Sequence, residues 1–295
     1  MKPDKLIINA AITGMVPTRQ DNPHVPVTVA EIVADVRRCR DAGASIVHVH
    51  ARDADGQPTY RQEIFAEIFA GIRATCPGLM ISGTTSGRRY PEFSQRSQVL
   101  ELDGDLRPDL ASLTLGSMNF PLQASVNDPQ MIRDLATKMR MRGIVPELEL
   151  FDLGMADCAQ DLIGQGILGP PLYANILLGS RGTLAATPLN LTTVVRALPA
   201  GTTWSAAGIG RFQFYVNSMA ITMGGHVRVG LEDNLWFDLA RTQPATNARL
   251  IDRLAKLANM VGREIASPEE ARALIGMPAQ SKISVNAGAR RDENL

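Results

Sequence analysis

The run Ser45-Ile-Val-His-Val-His-Ala-Arg52 is typical of a buried β-strand that carries two imidazoles on one side. Side chains two positions apart on a strand share a face, so His48 and His50 can reach one metal ion. The chain has four histidines, and two of them lie in this strand. The alternative is a chance pair of hydrogen-bonded core histidines.

Seven further strand-like runs accompany this one, and each is followed by a helix-like or loop segment. The eight runs lie at about 5–14, 45–52, 79–85, 110–116, 144–152, 171–179, 202–210 and 226–233. Eight such units that close on themselves form a TIM (β/α)8 barrel, the α/β fold class that we predict. A doubly wound open sheet also alternates strands and helices, but a count of eight without a break in composition favours the barrel.

Capping residues and apolar spacing predict several of the helices. Thr28 and Glu31 form a capping box before a helix that runs toward Asp41 and stops at Gly43. Apolar residues at helical spacing predict two more helices, over 127–142 and 246–262.

The end of the chain predicts an extension beyond the barrel. Ser267-Pro-Glu-Glu270 is a capped start for a short helix to about Met277. We therefore expect one catalytic barrel domain over 1–277 and a polar tail over 278–295, which we expect to reach a neighbouring subunit.

Composition narrows the class of protein. The chain has 295 residues, of which 45% are hydrophobic and 20% charged, as in ordinary globular proteins. Thirty basic and thirty acidic residues form no basic stripe, so we expect no nucleic-acid partner. We expect no membrane partner either, because no apolar run is long enough and the start lacks signal-peptide features. Three scattered cysteines fit the cytoplasm, and we expect a homo-oligomer, a tetramer in particular.

Charged residues occur in two predicted strands that should be buried from water on both faces. In Val145-Pro-Glu-Leu-Glu-Leu-Phe-Asp152 the leucines take one face and the glutamates the other, so Glu147 and Glu149 point into the barrel. In His226-Val-Arg-Val-Gly-Leu-Glu-Asp-Asn234 the same alternation turns Arg228 and Glu232 inward. Buried charges need a partner or a function.

Active sites of TIM barrels lie at the C-terminal ends of the strands, where these side chains converge. Two imidazoles and one carboxylate are the usual protein ligands of a catalytic zinc, which keeps one position open. We therefore predict that His48, His50 and Glu232 bind Zn²⁺. Asp233 cannot share the inward face of a regular strand, but it can lean over the mouth of the barrel.

Other polar residues leave alternatives open. Glu147 and Arg228 are either a buried ion pair in the lower barrel or catalytic groups. His24 is expected in a loop, and His226 as a hydrogen-bonded core residue.

Hydroxyl-rich strand ends are a weaker signal. Ser82-Gly-Thr-Thr-Ser-Gly87 and Ser112-Leu-Thr-Leu-Gly-Ser117 can bind a carboxylate or phosphate, or form ordinary turns. Arg88 and Arg89 follow at once and either reach an anion or remain solvated. No P-loop or Rossmann motif is present in the sequence.

Five strings together carry a family resemblance. They are AAITG (10–14), VHVHARD with a following Asp-Gly-x-Pro (55–58), PELELFD (146–152), AAGIGR (206–211) and GGHVRVGLEDN (224–234). In this order they resemble the β-keto acid cleavage enzymes, from about residue 5 to 277. The resemblance implies a zinc-dependent barrel that condenses a β-keto acid with acetyl-CoA, giving acetoacetate and a new CoA thioester.

The resemblance also implies roles for individual residues. Zinc would be bound by His48, His50 and Glu232, the ligands that the strand pattern predicts. The other implied roles are general base for Asp233, positioning and tuning of that base for Arg228 and Glu149, and binding of the substrate carboxylate for Thr84 and Ser112.

Two departures from the family pattern bear on the substrate. Val16 stands where members that act on an amine substrate have an acidic residue, and an apolar side chain cannot pair with an ammonium group. Thr84-Thr-Ser-Gly87 replaces Ser-Thr-Gly-Gly. We therefore expect a substrate whose tail is uncharged or, through Arg88 or Arg89, anionic.

Three other classes of protein remain as alternatives. A metal-dependent barrel hydrolase would need further histidines on middle strands, and the fifth and sixth runs have none. A lyase of the hydroxymethylglutaryl type carries its HxH pair on a late strand. A binding protein that kept only the fold would be expected to have lost the ligands or Asp233, and all are present.

Overall fold

Eight parallel strands form a closed barrel in which each strand pairs with its neighbours in the chain and the last pairs with the first. The computed structural model describes residues 4–279. The barrel strands are β1 (Ile8–Ala11), β2 (Ile46–Val49), β3 (Met80–Gly83), β4 (Leu110–Thr114), β5 (Val145–Leu150), β6 (Tyr173–Leu178), β7 (Thr203–Gly208) and β8 (His226–Val229). All eight predicted strands and the predicted TIM barrel are confirmed.

Within residues 4–279, one α-helix follows each of the eight barrel strands, and a ninth α-helix comes after the helix that follows β8. They are α1 (Val29–Asp41), α2 (Gln62–Thr75), α3 (Phe93–Arg96), α4 (Pro129–Met141), α5 (Gly154–Gly164), α6 (Pro188–Ala197), α7 (Gln213–Thr222), α8 (Asn247–Met260) and α9 (Pro268–Ile275). Both predicted capping boxes are present, at Thr28 and Ser267. Their side chains satisfy backbone amides that a helix start leaves unpaired.

Apolar side chains close the N-terminal end of the barrel. Inward residues at the strand starts, among them Ile46, Met80 and Tyr173, form a buried cluster with Ala271 and Ile275 of α9. The extension predicted at the end of the chain therefore covers the lower mouth. The polar residues that could form an active site lie at the opposite, C-terminal end of the strands, as in other barrels of this type.

Two short hairpins stand above the barrel, and the sequence patterns did not predict them. One pairs Ala51–Arg52 with Pro58–Thr59, and the other pairs Met118–Asn119 with Ala124–Ser125. Two-residue strands are too short to show a periodic pattern.

The remaining structural predictions have simple outcomes. Cys39 and Cys76 are buried, Cys158 is half-buried, and all three thiols are free. Within residues 4–279, no helix is long and apolar enough to cross a membrane. Residues 280–295 of the predicted tail lie outside the described residues.

Candidate active site

Three potential metal ligands meet at the C-terminal end of the barrel. His48 ends the inward row of β2, His50 follows that strand, and Glu232 follows β8. The two Nε2 atoms lie 3.2 Å apart, and Nε2 of His50 lies 3.2 Å from Oε1 of Glu232. Within the described part of the chain, this is the one group of three such side chains close enough to share an ion.

The donor set fits a zinc ion. Two ligands of one tetrahedral zinc, each at about 2.0–2.1 Å from it, lie roughly 3.3 Å apart, close to the separations between these atoms. Oε2 of Glu232 is buried and has no hydrogen-bond partner among the described residues. Buried polar atoms normally have a partner, so this oxygen is available as a ligand for a cation. Two imidazoles and a carboxylate also leave a coordination position for substrate.

Glu147 fixes the orientation of His48. Its Oε2 lies 2.8 Å from Nδ1 of His48, and because an ionised carboxylate only accepts, Nδ1 carries the proton and Nε2 faces Glu232. Glu147 also accepts hydrogen bonds from Ser82, Asn9 and Asn175. Burial would raise the pKa of Glu147, but His48, the charge of Arg228 and the hydroxyl of Ser82 together outweigh it, and the pKa falls to about 2.

This network corrects one of the two interpretations of Glu147. The proposed ion pair with Arg228 is absent from the described structure, because Glu147 lies one layer below and its oxygens are taken by β1, β2, β3 and β6. Asn9 and Asn175 were not identified from the sequence. The signal that could have found them is the one used for the glutamates, a polar residue inside a buried strand.

Arg228 instead holds three carboxylates. Its guanidinium lies 3.2 Å from Glu149, 2.9 Å from Glu232 and 3.1 Å from Asp233. The side chain is 1% exposed, so its charge acts without much screening by water. Arg228 thereby links a candidate metal ligand, the candidate base and Glu149 in one ion-pair network.

A turn after β8 brings Asp233 to this network. The strand ends at Val229, earlier than predicted, and the amide of Asp233 donates to the carbonyl of Gly230. A Cβ on Gly230 would overlap the carbonyl oxygen of Ala11, so only glycine permits the close approach. The turn breaks the alternation that would have directed Asp233 away from the site.

The carboxylates differ in their proton affinity. Burial pushes the pKa of Glu232 upward, but Arg228 and the two imidazoles outweigh it and hold the pKa well below its ordinary value. Burial raises the pKa of Asp233 and of Glu149, because Arg228 offsets only part of the cost of desolvation.

These side chains lie in a cavity of about 960 Å³. Thr84 lines it, and its hydroxyl accepts from the amide of Ser86, which leaves the hydroxyl proton available. Ser112 does not line the cavity: it is buried, and its hydroxyl accepts from the amide of Thr85. Thr114, two residues later on β4, reaches the cavity and donates to Glu149 at 2.7 Å.

Of the remaining predicted residues, one lines the cavity and three lie outside its lining. Arg88 lines the cavity, whereas Arg89 is exposed and donates to Gln57. His24 lies in an exposed turn, as predicted. His226 is buried, as predicted, and its Nδ1 accepts from the amide of Ile7 at 3.0 Å.

Comparison with known proteins gives a consistent family assignment. Residues 5–277 match a family described as beta-keto acid cleavage enzyme. The chain is 39% identical over 278 residues to the 3-keto-5-aminohexanoate cleavage enzyme of Fusobacterium nucleatum, covering 93% of this chain and 98% of that one. It is 37% identical over 276 residues to the 3-oxoadipate:acetyl-CoA acetyltransferase of Cupriavidus necator, covering 92% and 95%.

Among solved structures, the apo structure of ObcA is similar in fold, with a TM-score of 0.77 at 20% identity over 86% of this chain. This chain spans 66% of the ObcA chain. The match to the family covers every barrel strand and every residue of the metal-ligand group, in agreement with the motifs of the sequence. The protein is an enzyme that belongs to the beta-keto acid cleavage enzyme family.

Proposed function

We propose that the protein is a zinc-dependent acyltransferase that converts a β-keto acid and acetyl-CoA into acetoacetate and a new acyl-CoA. The observation that carries the proposal is the convergence of His48, His50 and Glu232 in one cavity, with Asp233 beside them. A relative of this chain is named as an acetyl-CoA acetyltransferase, which supports acetyl-CoA as co-substrate.

The metal ligands define where the substrate binds. A zinc ion held by His48, His50 and Glu232 supplies Lewis acidity toward the keto and carboxylate oxygens of the substrate. Thr84 offers its free hydroxyl proton to the same carboxylate. Thr114 is the hydroxyl of β4 that reaches the cavity, and because it donates its proton to Glu149 it orients that carboxylate rather than the substrate.

Asp233 is the general base in this proposal. It removes a proton from the carbon between the keto group and the carboxylate, and that carbon attacks the acetyl carbonyl of acetyl-CoA. Two contacts with Arg228, 3.1 and 3.4 Å long, fix the carboxylate of Asp233 in place. Glu149 holds Arg228 from the other side at 3.2 Å.

The remaining steps conserve every atom. The CoA thiolate leaves the acetyl group and attacks the original keto carbonyl, and the bond between that carbonyl and the nucleophilic carbon then breaks. The acyl group departs as its CoA thioester, and Asp233 returns the proton to the carbon that becomes the methylene of acetoacetate. The protein supplies orientation and electrostatics for this exchange.

The cavity has the size and charge for two anionic substrates. A volume of about 960 Å³ exceeds the needs of a small keto acid, and arginines at 181, 211 and 241 also line the cavity. Guanidinium groups are suited to phosphate, which CoA carries.

The direct test is incubation with acetyl-CoA and a panel of β-keto acids, with acetoacetate and the new thioester followed by mass spectrometry. Acetoacetate that retains the acetyl carbons of labelled acetyl-CoA supports the transferase. Cleavage of the keto acid without acetyl-CoA would instead support the barrel hydrolase or lyase.

The Asp233→Asn variant tests the base. We expect its kcat to fall about 100-fold or more, the usual scale for a positioned base, while its zinc content stays at the wild-type level. Stopped assays with the best substrate and elemental analysis of the same preparation provide both readouts. Near-normal turnover would contradict the assignment of Asp233.

The His48→Ala variant tests the metal site. We expect loss of bound zinc together with activity, because one of three protein ligands is removed. His24→Ala is the matched control, since His24 lies in an exposed turn and should leave the zinc content unchanged. Equal zinc in His48→Ala and wild type would overturn the site.

A further inference from the structure

Arg88 is a half-buried cation without an anionic partner. It follows β3 on the loop that contains Thr84, and it lines the same cavity as His50 and Glu232. Across residues 4–279, its guanidinium makes no hydrogen bond or ion pair within the protein. Its guanidinium lies over the ring of Phe120, and the carboxylates of Glu232, Glu149 and Asp233 attract its charge only from beyond ion-pair distance.

Three buried arginines of the chain each bind acceptors of the protein. Arg228 binds three carboxylates, Arg52 donates to backbone carbonyls, and Arg96 donates to the carbonyl of Thr85 and the side chain of Asn127. Arg88 is half-buried at the cavity wall and has no acceptor in the protein, so its N–H groups are free to bind an anionic ligand in the cavity. Arginines 181, 211 and 241 of the cavity are exposed, so Arg88 is the half-buried arginine of its described lining that has no acceptor.

Phe120 holds the guanidinium in a defined plane. The Cζ atom of Arg88 lies 3.6 Å from the centre of the Phe120 ring, and Phe120 packs edge-on against Phe151 at 5.4 Å. Stacking occupies one face of the guanidinium and leaves its N–H edges free. Those edges match the two oxygens of a carboxylate.

The acidic residues of the cavity are already engaged by Arg228 and, in the case of Glu232, by the proposed metal. Glu149, Glu232 and Asp233 are the three acidic side chains in its lining, and each is paired with Arg228. Val16, which also lines the cavity, adds an apolar surface. With Glu232 bound to the metal, an ammonium group would meet the unpaired cation of Arg88 and, among the described residues of the lining, only carboxylates that already bind Arg228.

We propose that Arg88, supported by Phe120, binds a second carboxylate at the far end of the substrate, so that the native substrate is a β-keto dicarboxylate. This inference rests on the proposed function for the chemistry at the near end of the substrate. The near carboxylate lies at the metal ligands, and the distal one completes the hydrogen bonds of Arg88. The name of one relative includes 3-oxoadipate, a molecule of this class.

Substrate selectivity tests the assignment. We expect wild-type enzyme to show a higher kcat/KM for 3-oxoadipate than for 3-oxohexanoate, which carries no distal charge, and the lowest for 3-keto-5-aminohexanoate. In Arg88→Met, the ratio of kcat/KM for 3-oxoadipate to that for 3-oxohexanoate should fall about 10- to 100-fold, the scale of one charge-assisted pair. Arg88→Lys should lie between the two, because it keeps the charge but loses the planar fork.

Arg89→Met is the matched control. Arg89 is the next residue, carries the same charge and points away from the cavity to Gln57. In Arg89→Met, the ratio of kcat/KM for 3-oxoadipate to that for 3-oxohexanoate should equal the wild-type ratio. An unchanged ratio in Arg88→Met, or a wild-type preference for the neutral or amino substrate, would overturn the inference. A rise in KM for acetyl-CoA alone in Arg88→Met would also overturn it, since Arg88 would then bind CoA.

A binding experiment separates this inference from the proposed function. Calorimetry with adipate and hexanoate, which do not react, reports the distal site even if no β-keto acid is turned over. We expect adipate to bind more tightly than hexanoate to wild type, and Arg88→Met to weaken adipate binding about 10- to 100-fold. Equal affinity for the two acids would contradict the role of Arg88, whereas absent turnover with preserved adipate selectivity would contradict the acyltransferase alone.

Discussion

At the residue scale, Glu147 orients an imidazole of the candidate metal site although it does not line the cavity. The proton on Nδ1 of His48 points to Glu147, which leaves Nε2 as the ligand atom. We expect Glu147→Gln to weaken zinc binding about 10- to 100-fold, because the amide keeps the shape but loses the charge that supports the imidazole. Competition with a chromogenic chelator measures this affinity without reference to turnover.

Glu63→Gln is the control for that experiment. Glu63 is an exposed glutamate of α2, and its substitution should leave the zinc affinity unchanged. If Glu147→Gln and wild type compete equally well against the chelator, then packing of the ring rather than Glu147 sets the orientation of His48.

The same residue marks the limit of strand alternation as a guide. Alternation predicted correctly that Glu147 and Glu149 face inward. It could not say which neighbours they meet, because that depends on the register of the closed barrel, where Glu147 lies opposite Ser112 and Tyr173. Inward direction is a local property of sequence, whereas partner choice depends on the tertiary structure.

At the element scale, strand existence was predictable and strand ends were not. The run 226–233 was predicted as one strand, but β8 stops at Val229. At the turn, the backbone of Gly230 lies so close to the carbonyl of Ala11 that a Cβ would not fit. In the sequence, this contact between distant elements is visible only as a glycine. The hairpin that carries Phe120 was missed for a related reason, since its pairing is only two residues long.

The C-terminal helix α9 is attached to the barrel through a buried charge cluster. Arg272 of α9 and Arg73 of α2 both bind Asp109, which precedes β4. We expect Arg272→Met to lower the free energy of unfolding by about 3 kcal/mol, because it leaves the largely buried Asp109 with one charged partner, Arg73, and the amide of Ile81. Urea denaturation followed by circular dichroism measures the change.

An exposed ion pair provides the comparison. Lys256 and Asp252 on α8 are separated by 2.6 Å, and Lys256 is 71% exposed. Lys256→Met should cost well under about 1 kcal/mol, because water screens such pairs. Similar losses in the two variants would show that burial of the Asp109 cluster does not determine its contribution.

At the scale of the whole molecule, the barrel separates stability from chemistry. Apolar side chains and α9 close the N-terminal end, while the C-terminal end gathers the charged residues around Arg228. The sequence predicted this division because eight alternating runs imply parallel strands whose ends all point one way. The position of Arg88 over Phe120 could not be predicted, since loops above a barrel follow no period.

Barrel closure also involves a histidine that should make stability depend on pH. His226 of β8 accepts a hydrogen bond from the amide of Ile7, next to β1, at the seam between the first and last strands. Burial, together with the charge of Arg263, lowers the pKa of His226 to about 3, compared with about 6.5 in an unfolded chain. The folded protein therefore favours the neutral ring.

Because the folded pKa lies below the unfolded one, this contribution is fully present above about pH 6.5 and is lost as the pH falls toward 3. We expect the free energy of unfolding of wild type to decline over this range more steeply than that of His226→Asn, whose amide oxygen can accept from Ile7 without titrating. Urea melts of metal-free proteins at several pH values measure the two slopes, and His24→Asn, altered at an exposed turn, should follow wild type. If the free energy of unfolding depends on pH equally in wild type and His226→Asn, then groups other than His226 cause the loss of stability in acid.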